Sequence, residues 1–440
     1  MTSFASSAAA AQQQALVLAS IGFLLSGLGG YSIGSIPVQW FAAILPTLSL
    51  LPFIVARRLT VPIEIWPFIL LFVWSVSVTL YHLHSFESVS LDIYKFVALR
   101  ILKIVFFIGI VISLINLDAE HRERFLNVVI LTGVIFSLYG FYCYFAHLNG
   151  WPEIPRTRAG TYEGPQSVLF TYPFHRLMGP FQEPSMFADW MLVPLMLAFR
   201  QLKTQPKRPW AGIILGAVML TGSFAAALAL SIGVLLVIAI WLIKREKAGW
   251  QPVMANVLIG IGVFYILVRG YEHSNGYRIV DTSEYSPFGL VWLFISDRLG
   301  GVIAAGEAGT NRAGSIGLSQ LLGISWIGHG LGLGHIKIQF LVEGRSPRSF
   351  LSLYRFFLVS SGVIGLFILS ISLVFPLLRM IRSWNLLRNE SFLFALYVSC
   401  CIMFYGVMEE LTYTFAVVLG LVCAQNQRKR PETTLNGQRR

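Results

Sequence analysis

The chain has 440 residues, of which 55% are hydrophobic and only 12% charged, and its mean hydropathy is +0.69. Soluble domains carry about 25% charged residues, so this composition excludes a water-soluble globule and indicates a polytopic membrane protein whose aqueous parts are loops. The net charge of +12 does not point to nucleic acid, because more than half of the 33 Lys and Arg cluster between apolar runs, the pattern of cytoplasmic loops.

Hydrophobicity predicts an all-α integral membrane protein with about twelve transmembrane helices, at 13–33, 37–56, 64–82, 93–115, 125–147, 182–200, 209–222, 224–243, 252–268, 349–378, 391–409 and 411–426. Alternating these spans across the bilayer puts Arg57 and Arg58, Arg122 and Arg124, the 200–208, 244–247 and 379–388 clusters and the tail from Arg428 on one side. Both termini are then expected to be cytoplasmic. The first apolar run has no basic segment before it and no small-residue cleavage site directly after it, so it reads as an uncleaved span. Cys143, Cys400, Cys401 and Cys423 all fall inside apolar runs and read as buried small hydrophobes.

A single membrane domain, 1–440, therefore carries two outer loops. The first, 148–181, is rich in Pro, Gly and aromatics; the second, 269–348, is the longest polar stretch of the chain. Loops of this length are usually functional or disordered, and the glycine and aromatic content argues against disorder. The hairpins 209–243 and 391–426 barely supply two crossings at about 1.5 Å per residue. Their tips, Gly222–Ser223 and Glu409–Glu410, are expected at or just below the outer surface.

Several residues could carry chemistry. Arg100 and Lys103 share one face of the fourth span, where a cation costs roughly 2.5–3.5 kcal/mol and normally faces the bundle interior or a wet cavity. They read either as an anion site or as partners of an interior carboxylate. Arg355 enters the tenth span near its outer end. In the segment 175–185, Pro184 at a first helical position and Glu183 before it make a good helix start. Arg176 beside that start could bind a phosphate, and Glu183 could act as a base toward a hydroxyl. The second loop holds Arg298 and Arg312, then apolar residues at helical spacing (Ile316, Leu321, Ile324, Ile327) that predict a short amphipathic helix. There follows Gly328-His329-Gly330-Leu331-Gly332-Leu333-Gly334, which is either a tight turn or a nest of N–H groups for an anion. Glu409 and Glu410 read as charge compensation for the buried cations or as a general base. The eight histidines include His82 and His84 on one turn, but no metal-ligand spacing appears and no cofactor is called for.

Taken together, "R-x-x-G-x-F-x-E-P-S-x-F-A" from Arg176, "N-R-x-G-S-I" from Asn311 and "G-H-G-L-G-L-G" from Gly328 resemble the O-antigen polymerase and ligase superfamily. The form "FQEPSMFA" is most similar to its Wzy-type exopolysaccharide polymerase branch. The resemblance implies a GT-C-like, metal-independent glycosyltransferase that joins undecaprenyl-diphosphate-linked oligosaccharides at the periplasmic face, with Arg176 and Arg312 on the diphosphate. It leaves room for a chain-length regulator as a partner beside the membrane lipid. The ligase branch carries a histidine where this chain has Leu351, which favours polymerase over ligase. Glu183 is then the first candidate base and Glu409 or Glu410 the second. A transporter of lipid-linked oligosaccharides is the competing class; its hallmarks are inverted repeats and broken helices.

Overall fold

In lipid every backbone polar group must be satisfied within the chain, which leaves helices as the spanning element. The computed structural model describes residues 2–34, 36–55, 59–84, 91–158, 164–166, 175–244, 250–275, 284–293, 296, 322–341, 352–406 and 410–427. All twelve apolar stretches are helical in it. They form α1 (Thr2–Ser26), α2 and α3 (Val38–Leu48 and Leu51–Val55), α4 (Trp66–His84), α5 (Leu91–Asn116), α6 (Ala119–Asn149), α7 (Pro184–Gln201), α8 (Trp210–Leu220), α9 (Phe224–Lys244) and α10 (Trp250–Asn275). After the second loop come a short α11 (Leu333–Leu341), α12 (Leu353–Arg382), α13 (Trp384–Asn389), α14 (Ser391–Gly406) and α15 (Tyr413–Gln427). The one sheet among the described residues is a minimal hairpin, Ser32–Ile33 with Ile36–Pro37.

Among the described residues, eight helical stretches are long and apolar enough to cross a membrane, rather than twelve. The other four, α7, α8, α14 and α15, have 18, 11, 16 and 15 residues. They are also among the most enclosed: α7 is buried from Phe187 to Phe199 and α15 from Thr414 to Asn426. A helix surrounded by protein need not match the hydrocarbon thickness.

Small residues set the tightest helix pair. α8 presents Gly212 and Gly216, one turn apart, to α10; a Cβ on either would lie 2.6 Å from Ile259 or Val263. Close backbone approach of this kind is how apolar helices associate where lipid removes the hydrophobic drive. Gly222 (φ 57°) turns the chain just after α8, and α9 restarts at once with Ser223 Oγ accepting from the Ala226 N–H at 3.4 Å.

Helix ends sort the bundle into two faces. At one, Arg200 bridges Glu390 (2.8 Å) and Glu123 (3.3 Å), and Arg379 pairs with the fully buried Glu64. Some of the basic clusters thus tie helices together as well as marking topology. At the other face, the first span stops short of its expected end. α1 closes at Ser26, and the glycines after it let the chain tuck under the 179–180 turn, with the Gly30 N–H donating to the Pro180 carbonyl at 2.9 Å. The second loop also departs from expectation. α10 runs on to Asn275; of the predicted amphipathic helix, Ile316 and Leu321 lie outside the described residues, and Ile324 and Ile327 sit on exposed, non-helical backbone.

Candidate active site

α5 carries its two cations well below its start. At about 1.5 Å per residue, Arg100 lies roughly 13 Å and Lys103 roughly 18 Å along its axis from Leu91. Both meet Glu410, one on each carboxylate oxygen. Glu410 lies shortly before α15, which begins at Tyr413. The Arg100 guanidinium lies over Phe96 (5.1 Å) and Phe356 (5.4 Å), and Lys103 Nζ lies 5.9 Å from the Trp40 ring. Aromatic faces stabilise a cation that has lost water. The pairing with an interior carboxylate is therefore realised, and Glu410 is that carboxylate.

This triad borders a cavity of about 470 Å³, within the range of ligand sites. Its polar lining includes Arg100, Lys103, Glu410, Gln39, Arg158 and Asp189; its apolar walls include Trp40, Phe106, Phe181, Trp190 and Tyr413. Arg158 arrives from the first outer loop and is held by Gly29 O (3.2 Å) and Gln39 Oε1 (3.1 Å). Burial lowers its pKa, opposed by the charge of Glu410. Three cations thus face two carboxylates in a largely apolar setting.

The loop that delivers Arg158 is anchored by its neighbour. Arg156, 2% exposed, donates to the carbonyls of Phe181 (2.7 Å), Gly164 (3.1 Å) and Gly179 and to Glu153 Oε1 (3.1 Å). A planar fork with five donors suits that many acceptors.

The glycine run is engaged by backbone of the same chain. α12 is broken at Gly362 (φ 71°, ψ −170°), and the run lies in the break. The N–H groups of His329 and Gly330 donate to Val359 O (2.9 Å) and Ser360 O (2.8 Å), while Val363 and Ile364 donate back to Ser325 O (3.0 Å) and Trp326 O (3.2 Å). The Gly328 N–H takes Ser325 Oγ (3.1 Å), and the Leu331 N–H takes Thr79 Oγ1 (2.8 Å). These N–H groups are committed inside the protein, so a nest open to an anion does not form from them. Gly332 (φ 79°) packs instead on Phe96, where a Cβ would lie 2.7 Å from the ring, and so supports the platform beneath Arg100. His329 Nδ1 lies 3.3 Å from Lys337 Nζ. Burial first, then the Lys337 charge, holds this imidazole below its usual pKa.

Among the described residues, Arg176, Glu183 and Arg355 are not in the cavity lining. Arg176 Nε donates to the Thr221 carbonyl at 2.6 Å, at the C-terminus of α8, where a cation complements the helix dipole. Glu183 is the N-cap residue of α7 with Pro184 first in the helix, as the sequence predicts; its carboxylate accepts from Ser185 Oγ at 3.3 Å. Arg355 is half-buried in the first turn of α12. Arg298, Arg312 and Glu409 lie outside the described residues. Sequence reasoning missed Asp189 and Arg158. Asp189 carried a signal, since an ionisable residue inside a span is a functional candidate by default; Arg158 had only its place in the first loop.

His175 is stacked between His147 (5.7 Å) and Tyr271 (4.7 Å) and is 1% exposed. Burial, reinforced by His147, pushes its imidazole down to about 3. The unfolded chain, with a His pKa of about 6.5, then takes up this proton first as pH falls, so stability is complete above pH ~6.5 and is lost from there toward pH ~3. The loss attributable to His175 is about 2 kcal/mol at pH 5. Thermal unfolding in detergent should show a declining midpoint below pH 6.5 that His175→Phe flattens; an equally steep decline in the variant would place the acid sensitivity elsewhere.

Comparison with models of known families, with characterised proteins and with solved structures finds no match to this chain.

Proposed function

We propose that this protein is a membrane glycosyltransferase that polymerises undecaprenyl-diphosphate-linked oligosaccharide repeat units into a surface polysaccharide or exopolysaccharide, in a GT-C-like bundle of about twelve helices. The observation that carries the reading is the convergence of Arg100, Lys103 and Arg158 on one aromatic-walled cavity. The hard part of the reaction is the departure of a diphosphate. Prearranged cations in a partly water-excluded site stabilise its developing charge, and losing one such donor typically costs on the order of 10²–10³ in rate. The walls of Trp40, Trp190 and Tyr413 suit the apolar faces of sugar rings. The motifs of the polymerase branch around Arg176 and Asn311 point the same way. In this reading Arg176 and Arg312 bind the donor diphosphate, the active face is periplasmic, and a chain-length regulator is a natural partner.

A second reading, movement of a lipid-linked glycan rather than its extension, is favoured by the broken α12, since interrupted helices are common in transporters. Ligase-type transfer of a finished glycan is the third. Deleting the gene and sizing carrier-linked and exported glycans separates them. Polymerase function predicts that single repeat units build up and long chains vanish. Long chains retained on the carrier would mean ligase, and unchanged glycans would sink glycosyl transfer. Arg176→Ala and Arg312→Ala are each expected to reduce long chains at normal protein level; full activity in both would also overturn the reading.

A further inference from the structure

Asp189 lies in the second turn of α7, is 8% exposed, and lines the cavity between Met186 and Trp190. Among the described residues it has neither a hydrogen bond nor an ion pair, and its neighbours are committed elsewhere. Trp190 Nε1 donates to Ser26 Oγ at 2.9 Å, and Ser26 Oγ in turn donates to Phe23 O at 2.6 Å. The other carboxylate of the lining, Glu410, has both oxygens engaged by Arg100 and Lys103. A buried carboxylate without a partner is costly to retain. Helix propensity gives no reason for aspartate there, mid-helix and far from the N-cap. What Asp189 does have is access to the cavity and lone pairs that nothing occupies.

We propose that Asp189 is the catalytic base of the transfer, a role that rests on the glycosyltransferase reading above. The acceptor hydroxyl gives its proton to an Asp189 oxygen as its own oxygen bonds to the anomeric carbon of the carrier-linked glycan. The bond from that carbon to the diphosphate oxygen breaks, and its electron pair leaves with the carrier diphosphate, against Arg100, Lys103 and Arg158. The cavity thereby divides its labour: cations on the α5 side take the leaving group, and the α7 side takes the proton.

The test uses membrane vesicles from a deletion strain that carries wild type, Asp189→Asn, Asp189→Glu or Arg100→Ala. They are supplied with the carrier-linked repeat units extracted from that strain, and chain extension is measured against substrate concentration and pH. Asp189→Asn is expected to lower kcat by ~10²–10⁴ with KM unchanged, the usual contribution of a general base. Arg100→Ala is expected to raise KM as well. Near wild-type turnover in Asp189→Asn overturns the assignment. Should that variant not accumulate in the membrane, Asp189→Glu decides: a displaced pH–rate profile supports the base, and an unchanged profile overturns it. A deletion strain that accumulates no carrier-linked units yields no substrate, and that result counts against the underlying glycosyltransferase reading rather than against the choice of base.

Discussion

Arg100→Ala is expected to abolish long-chain product while leaving the protein in the membrane. Arg100 is the most enclosed member of the triad, with its side chain 13% exposed against 37% for Lys103 and 28% for Glu410. It alone sits over two aromatic rings, Phe96 and Phe356. Its removal leaves Glu410 still paired with Lys103, so no isolated buried charge is created and folding is spared. Its charge and donors are lost at the point where we propose the leaving diphosphate is held. A loss on the order of 10²–10³ in chain extension follows. Arg100→Lys keeps the charge but not the planar fork, and should recover only part of it. Glycan sizing alongside a quantitative blot for the protein makes the check. Full-length chains at normal protein level in the alanine variant would remove Arg100 from the reaction.

Gly362→Ala is expected to be strongly destabilising. The backbone there lies at φ 71° and ψ −170°, a region that is essentially glycine-only and costs of order 1–3 kcal/mol for other residues. A Cβ would also fall 2.3 Å from the Trp326 carbonyl oxygen and 2.5 Å from the Gly328 nitrogen, both backbone atoms with little freedom to retreat. Overpacking adds typically 1–3 kcal/mol, so the total is about 3 kcal/mol or more. Gly328→Ala should behave alike, since its Cβ would lie 2.4 Å from the Gly362 nitrogen. Gly262→Ala serves as the control. It lies within α10 with nothing inside 4 Å of the added carbon, and alanine there is favoured by about 1 kcal/mol of helix propensity. The fraction of monodisperse protein after heating in detergent reads all three. Wild-type survival of Gly362→Ala would mean that the interlock between α12 and the glycine run is not a structural keystone.

Much of the architecture is legible in hydropathy because lipid imposes a uniform demand for helix. The link between Arg100, Lys103 and a carboxylate of the 409–410 tip also follows from the sequence, since unpaired charge at that depth is too costly to leave alone. Three things were not legible. The enclosure of short helices such as α8 and α15 does not show in hydropathy, because a protein environment and a lipid environment select the same side chains. The glycine run looks like a ligand nest, because positive φ serves equally to approach a phosphate or another stretch of backbone; only the positions of Val359 and Ser360 decide between them. Asp189 and Arg158 are separated by 31 positions and belong to different elements, so no local pattern announces that they border one cavity.

The interlock at Gly362 also bears on how the protein is made. α12 crosses the bundle as two half-helices whose exposed carbonyls and N–H groups are met by 325–330 and by Trp74, which donates to the Ser361 carbonyl from a position 287 residues earlier. During synthesis α4 enters the membrane long before α12 exists, and the glycine run emerges just ahead of it. Without those partners the stretch around Gly362 has every reason to continue as ordinary helix, for lipid offers nothing to an open backbone. The native break is therefore a late event, set after insertion, when α4, the glycine run and α12 meet and trade one helical turn for cross-chain bonds. Pairings of such long sequence separation are slow to find. A nascent chain held at this stage would be fully inserted and fully helical, yet without the glycine run seated beneath the Arg100 platform.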